Sequence, residues 1–494
     1  MKTTMQSIGE RIEGRRSAAL LMGLGVLTAA AVAFACEIPS IRHNTVHVVT
    51  PVTQPGTTAR IALPSGVALT GTLSQTKLVR GESGEVFLRV TVTTPEITKN
   101  SAQQAADTVV ILDQSGSMSV DNRLPYAKRA IHELIDRLSP QDRFALVTFD
   151  SRAQILSDLN SVTADEKRRL HQLVDRIQPG SGTNMGAGIE LARSILRGRN
   201  SDRAQKAILL SDGEANEGIT NPQTLGQMTS SINRESASVS TIGMGLGFNE
   251  QLMSSLADWG GGTFSYLEHL DKLSEILNRN LQDARSLFAA TSTVEITLPD
   301  GARIVDAGGY PIESGSGIVK IPTGQLLSGS EKQLTITMNL PTNRVGEITG
   351  QRVAFEYGSG DSRQRIELPP AVALVSVVEP ELRKEAVASI NQSVYGSSWG
   401  TNNLGILKRG MREQVASGDI AGAKGAVSDY RARISAAEAV AGSPIATEAL
   451  RQELSSVEAE LDEAQRGDIS EQKEKQNRLG KKLLKDGLNA QRSK

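Results

Sequence analysis

One cysteine, Cys36, stands in 494 residues. A single thiol excludes an intramolecular disulfide framework and any cysteine-built zinc site. Aromatic residues make up only 3% of the chain, too few for the stacking platforms that hold single-stranded nucleic acid. A dominant charge sign is lacking as well. With 54 Lys and Arg against 55 Asp and Glu, the formal net charge is −1, and no basic field invites a phosphate backbone. Neither a G-x-x-x-x-G-K-[ST] loop nor an H-E-x-x-H pair occurs, which leaves nucleotide-phosphate and zincin chemistry unsupported. Apolar runs of membrane-spanning length are absent too, apart from Ala18 to Ala35.

That run has the makeup of a targeting segment. Arg11, Arg15 and Arg16 precede it and Ala33-Phe34-Ala35 closes it, a positive flank, apolar core and A-x-A ending. Residues 1–35 are therefore predicted to be a signal peptide or membrane anchor. Three outcomes stay open: cleavage, a lipid anchor on Cys36, or a retained helix of about 18 residues, the short limit for a span. Ala33 and Phe34 depart from the usual lipoprotein pattern. All three outcomes export the body of the protein to the periplasm, cell envelope or exterior, with membrane contact confined to this segment.

Residues 36–65 are rich in Pro, Thr and Gly and read as an extended linker. Over 66–102 the period is two: Val86, Leu88, Val90 and Val92 alternate with Phe87, Arg89 and Thr91, predicting strands of a β-sandwich. From 103 to 290 short apolar strands alternate with amphipathic helices. The first helix carries Leu124, Ala127, Ile131, Leu134 and Leu138 on one stripe, and Thr163 with Glu166 forms a capping-box signature. This alternation predicts a doubly wound, Rossmann-like α/β fold with its ligand site beyond the strands' carboxyl ends. Between 291 and 378 the period returns to two, at Val294, Ile296 and Leu298, at Leu334, Ile336, Met338 and Leu340, and at Val353, Phe355 and Tyr357. The α/β domain is thus expected to be inserted in, or flanked by, one β-sandwich. The last stretch, 379–494, is helical. Ile420, Ala423, Val427, Tyr430 and Ile434 form one seam, and Leu450, Leu454, Val457, Leu461 and Ala464 another. Gly418-Asp419 and Gly467-Asp468 mark the breaks. Its 18 basic and 17 acidic residues read as a solvated, coiled-coil-like array that offers an oligomerisation arm.

Three oxygen-rich segments lie where buried strands end. Asp113-Gln-Ser115-Gly-Ser117 follows Thr108-Val-Val-Ile-Leu, and Ser211-Asp212-Gly213 follows Ala207-Ile-Leu-Leu; between them comes Gly182-Thr183-Asn184. Hard divalent cations take oxygen ligands, and Mg²⁺ keeps several waters beside few protein groups. Together the three segments resemble the metal-ion-dependent adhesion site of von Willebrand factor type A domains, over roughly Asp107 to Phe288. The resemblance implies direct ligation by Ser115 and Ser117. It implies direct or water-mediated ligation by Thr183, and water or hydrogen-bonded roles for Asp113 and Asp212. The ion it implies is divalent, Mg²⁺ first, with Mn²⁺ or Ca²⁺ as alternatives. A partner protein would complete the shell with an Asp or Glu carboxylate, and ligand exchange would shift the final helix, near Leu270 to Asp283.

Catalysis finds little support. None of His43, His47, His132, His171 and His269 sits in a triad pattern, and a nucleophile needs a base beside it. Ser115 occupies a strand-to-helix turn but lacks the glycine of a G-x-S-x-G elbow. Gly243-Met-Gly245-Leu-Gly247 places its third glycine one residue early for a dinucleotide loop, and reads as a tight turn. Glu214 and Glu217 are candidates to rim the site, and Asn184 and Met185 to shape selectivity. The expected function is non-enzymatic protein binding through a cation; the alternative is an envelope structural or assembly-factor protein acting through its helical tail.

Overall fold

In the computed structural model, which describes residues 58–492 except 98–103, 199–202, 213–214, 246–247, 268–269, 316, 360–361 and 371–373, the strand Ala106–Asp113 is buried at every position. Such a strand needs a partner on each edge and a layer on each face, and it has both. Its sheet runs in the order Gly261–Leu267, Ala237–Met244, Ala204–Ser211, Ala106–Asp113, Arg143–Phe149, Ala153–Ser161. All pairings are parallel except the last. Val110 and Leu112 face the helices Arg123–Arg137, Ala164–Asp175 and Leu273–Arg285, whereas Val109 and Ile111 face Met185–Leu196, Pro222–Arg234 and Glu250–Trp259. The chain is doubly wound, and the order reverses at Ala106–Asp113. Its carboxyl end is therefore the crevice where such sheets bind ligands.

The first helix buries Leu124, Ala127, Ile131 and Leu134, and Leu138 packs just beyond its end. Two left-handed residues precede it, Asp121 (φ 51°) and Asn122 (φ 58°). Each costs about 1–3 kcal/mol, towards the low end for Asp and Asn. Four buried apolar side chains at roughly 1.5–3 kcal/mol for each large one outweigh that cost. Thr163 caps its helix by accepting from the Glu166 amide at 3.2 Å. The reciprocal half of the capping box does not form, because the Glu166 carboxylate goes to Arg169 and Ser157.

Glu85–Thr93 pairs antiparallel with Glu331–Asn339, Leu88 opposite Ile336 and Val90 opposite Leu334. Segments on either side of the α/β domain thus share one sheet. A second five-stranded sheet contains Thr291–Thr297 and Arg352–Ser359, and Leu88 and Val90 lie in one core with Val294, Ile296 and Phe355. The linker expected over 36–65 ends earlier than its composition suggests. Thr58–Ala62 pairs with Ala68–Leu73 as an edge strand. The targeting segment 1–35, Cys36, His43, His47 and linker residues 36–57 lie outside the described residues, as do Gly213, Glu214, Gly247 and His269. Among the described residues no helix is long and apolar enough to cross a membrane.

The tail departs from a free, solvated array. Ile420–Ala441 and Glu448–Glu463 bury the two seams read from the sequence, and Asp419 and Asp468 cap the helices that follow their glycines. Yet the bundle folds back on the body. Phe87, on the outer face of its strand, is buried edge-on against Tyr395 and Trp399 at 5.9 and 6.2 Å. Arg412 binds Glu250 at 2.7 Å, Arg409 binds Asp306 at 2.6 Å, and Arg492 clasps Asp258 at 2.6 and 2.9 Å.

Candidate metal centre

Asp113 ends the central strand, and its own side chain turns the chain. Oδ1 accepts from the Ser115 amide at 2.8 Å, an Asx-type turn that lifts the next two hydroxyls past the sheet edge. Oδ2 accepts from the Ser211 hydroxyl of the neighbouring strand at 2.6 Å. The carboxylate is fully buried. Its pKa is raised to about 6: burial pushes it up most, the hydrogen bonds from Ser115 and Ser211 offset part of that, and the nearby Asp212 adds to the rise.

Beyond the turn, Ser115 Oγ and Ser117 Oγ lie 3.0 Å apart, and Ser117 donates to Asp212 Oδ1 at 2.8 Å. Ser117 is exposed while Ser115 is buried, so the hydroxyl pair has one wet side. Four of the five predicted residues are thereby joined in one network. Thr183 reaches it differently. Among the described residues no hydrogen bond links its hydroxyl to the other four, but its loop is laced to theirs: Gly116 N donates to Ser181 O at 2.9 Å and Gly180 N to Gln114 O at 2.6 Å. Asn216 Oδ1 holds the Thr183 amide at 2.8 Å.

Several partners carried no signal in the sequence pattern. Arg123, the first residue of its helix, reaches back so that Nη1 lies 2.5 Å from Asp212 Oδ2, while Nη2 meets Asp121 at 3.2 Å. Asp150 accepts from Gln114 Nε2 at 3.0 Å and its carbonyl from the Asn184 amide at 2.7 Å, fixing both loops. Glu217 lies on the rim: a Cβ built on Gly182 would fall 2.1 Å from its Oε1. The proposed selectivity roles of Asn184 and Met185 are corrected. Met185 is in the core, and Asn184 caps the helix Met185–Leu196 through the Ala187 amide at 3.2 Å. His132 and His171 bind each other at 2.6 Å and Asp175 and Asp136 at 3.0 Å each, so neither serves these hydroxyls. Gly245 takes φ 78° in the tight turn after Ala237–Met244.

Comparison with known proteins bears on the domain and its fold. Residues 108–214 match the von Willebrand factor type A domain family. The uncharacterized protein YfbK of Escherichia coli is 26% identical over 333 residues, covering 62% of this chain; the chain spans 57% of that protein's length. A von Willebrand factor type A structure from Catenulispora acidiphila aligns with TM-score 0.57 at 18% identity, covering 86% of this chain and 93% of its own. The ArnB paralog VWA2 from Sulfolobus acidocaldarius aligns with TM-score 0.52 at 16% identity, covering 85% and 99%. At these identities the two structures bear on the fold alone.

Proposed function

The chain carries a von Willebrand factor type A domain, and on that premise we propose that Asp113, Ser115, Ser117, Thr183 and Asp212 hold a divalent cation through which the protein binds an Asp or Glu carboxylate of a partner protein. The hydroxyl pair carries this reading. An octahedral ion with ligands at about 2.1 Å spaces neighbouring ligands about 3.0 Å apart, and Ser115 Oγ and Ser117 Oγ stand at 3.0 Å. Ca²⁺, with its larger coordination number, also spaces neighbouring oxygens at about 3 Å, so the distance does not separate the two ions. Mg²⁺ is the ion we propose first, with Mn²⁺ or Ca²⁺ as alternatives.

The donor set fits such an ion. Two hydroxyls supply neutral oxygens, Asp212 would accept from water on a bound ion, and buried Asp113 holds the Ser115 amide. When bound, the ion supplies a Lewis-acidic position for an anionic oxygen. This chain's residues set the remainder: Ser115 and Ser117 would supply ligands, Thr183 would supply a third hydroxyl from the neighbouring loop, and the Gln114–Asp150 contact holds the loops together. Among the described residues, His132 and His171 bind each other and two aspartates instead of this network. We place the protein in the cell envelope or outside it, on the strength of residues 1–35, with the β-sandwich and helical tail as scaffold.

The test is capture of partners from envelope extracts, with Ser117→Ala as control. Capture lost both with EDTA and in Ser117→Ala supports the reading. Equal capture under all three conditions overturns it.

A further inference from the structure

Arg123 is placed with unusual care for an ordinary surface arginine. Its side chain is about nine-tenths buried. Asp121 and Asn122 are bent into the left-handed region immediately before it. Gly245 makes room for it: a Cβ there would lie 2.9 Å from Arg123 Nε, on a backbone whose φ of 78° already disfavours side chains. Its Nη1 takes the one Asp212 oxygen that Ser117 does not use. Three separate segments therefore converge to hold a fixed positive charge against a carboxylate of the proposed cation site.

We infer that Arg123 is an affinity-setting residue: it weakens the site's hold on the divalent cation and strengthens the loaded site's hold on a partner carboxylate. The inference rests on the cation reading above. Its logic is a charge count. Asp113 and Asp212 contribute two negative charges, so alone they would neutralise a divalent ion, and an incoming carboxylate would meet a site with no net attraction. Arg123, which Asp212 shares with the exposed Asp121, offsets part of that charge. The ion then binds a site of lower negative charge, and the loaded site keeps more positive charge than it would without Arg123, held by a guanidinium that is itself about nine-tenths buried.

Titration with Mn²⁺ alone, followed by its electron paramagnetic resonance, measures the first effect. Titration of the Mn²⁺-loaded protein with acetate, followed by water proton relaxation as inner-sphere water leaves, measures the second. Arg123→Met should tighten Mn²⁺ on the order of tenfold and weaken acetate on the order of tenfold. Arg123→Lys, which keeps the charge, should stay within about threefold of wild type on both scales. Arg123→Gln is run beside Arg123→Met, so that loss of fold in one does not decide the matter. Wild type that binds Mn²⁺ while both neutral variants leave both affinities unchanged, or move them in the same direction, overturns this inference and spares the cation site. Wild type that binds no Mn²⁺ overturns both.

Discussion

Ser117 and Asp212 are 95 residues apart in the chain and 2.8 Å apart in the fold, hydroxyl to carboxylate. The contact exists because the two strands that end beside them are neighbours in the sheet, Leu112 opposite Leu210. Loops at the ends of paired parallel strands bring polar residues that are distant in sequence together beyond the apolar sheet.

Ser117→Ala removes a hydroxyl from an exposed loop residue. The two lost hydrogen bonds, to Ser115 and Asp212, are worth about 1 kcal/mol each, so thermal unfolding should shift by only a few degrees. Mn²⁺ affinity should fall far more, on the order of 10–100-fold. Calorimetric titration and a melting curve on the same sample separate the two effects.

Gly245→Ala meets two obstacles, a left-handed backbone and the Arg123 guanidinium 2.9 Å away. We expect about 1–3 kcal/mol of destabilisation in urea. Because the added methyl displaces Arg123, Mn²⁺ should also bind more tightly than in wild type. A loss of stability with unchanged Mn²⁺ affinity would separate the glycine from the site.

Acid stability should depend on Asp142. Its carboxylate is buried at the opposite end of the sheet and is desolvated, but it accepts from the Ala106 and Ser139 amides, from the Ser139 hydroxyl and from Arg285. The net effect holds its pKa below the ordinary 3.8. Unfolding raises that pKa, so the unfolded chain binds the extra proton. The stabilisation is full at neutral pH and is lost as pH falls through 3.8 and below. Asp142→Asn should cost about 2–4 kcal/mol at pH 7 and flatten the acid limb of a stability–pH curve measured by denaturant midpoint.

Arg492→Ala should loosen the tail. It leaves the Asp258 carboxylate, about nine-tenths buried, without its partner, and removes the guanidinium 4.1 Å from the Tyr310 ring. Breaking one side of a buried pair costs about 3–5 kcal/mol. Hydrogen exchange should quicken in Ile469–Gln491 while the central strand Ala106–Asp113 stays protected.

Much of this architecture was legible because its signals are local. Continuous apolar strands followed at once by Asp-x-Ser-x-Ser or Ser-Asp mark both the sheet and the edge where the oxygens gather. The tail seams at Ile420–Ile434 and Leu450–Leu461 follow helical spacing alone. What escaped depends on partners far away in sequence. Phe87 occupies an outward position by period two and is buried only because Tyr395 and Trp399 cover it. Lys481 and Arg492 look like members of a mixed-charge, solvated tail. Their partners Phe248 and Asp258 lie 233 and 234 residues back. Burial lowers the Lys481 pKa, Glu250 at 3.6 Å offsets part of that, and the Arg412 and Arg123 guanidiniums add to the lowering. Arg123 at a first helical turn carries no pattern of its own; only the strand order brings Asp212 to it. The edge strand Thr58–Ala62 escaped because so short a segment is defined by its neighbour, not by its composition.

The account turns on an incompletely satisfied cation at the hydroxyl pair, and anomalous scattering from a crystal soaked in Mn²⁺ tests it most directly. We predict a single peak within bonding distance of Ser115 Oγ and Ser117 Oγ, with at least one coordination position filled by exchangeable water. No peak there, or a peak enclosed on all sides by this chain's own side chains, would contradict the account.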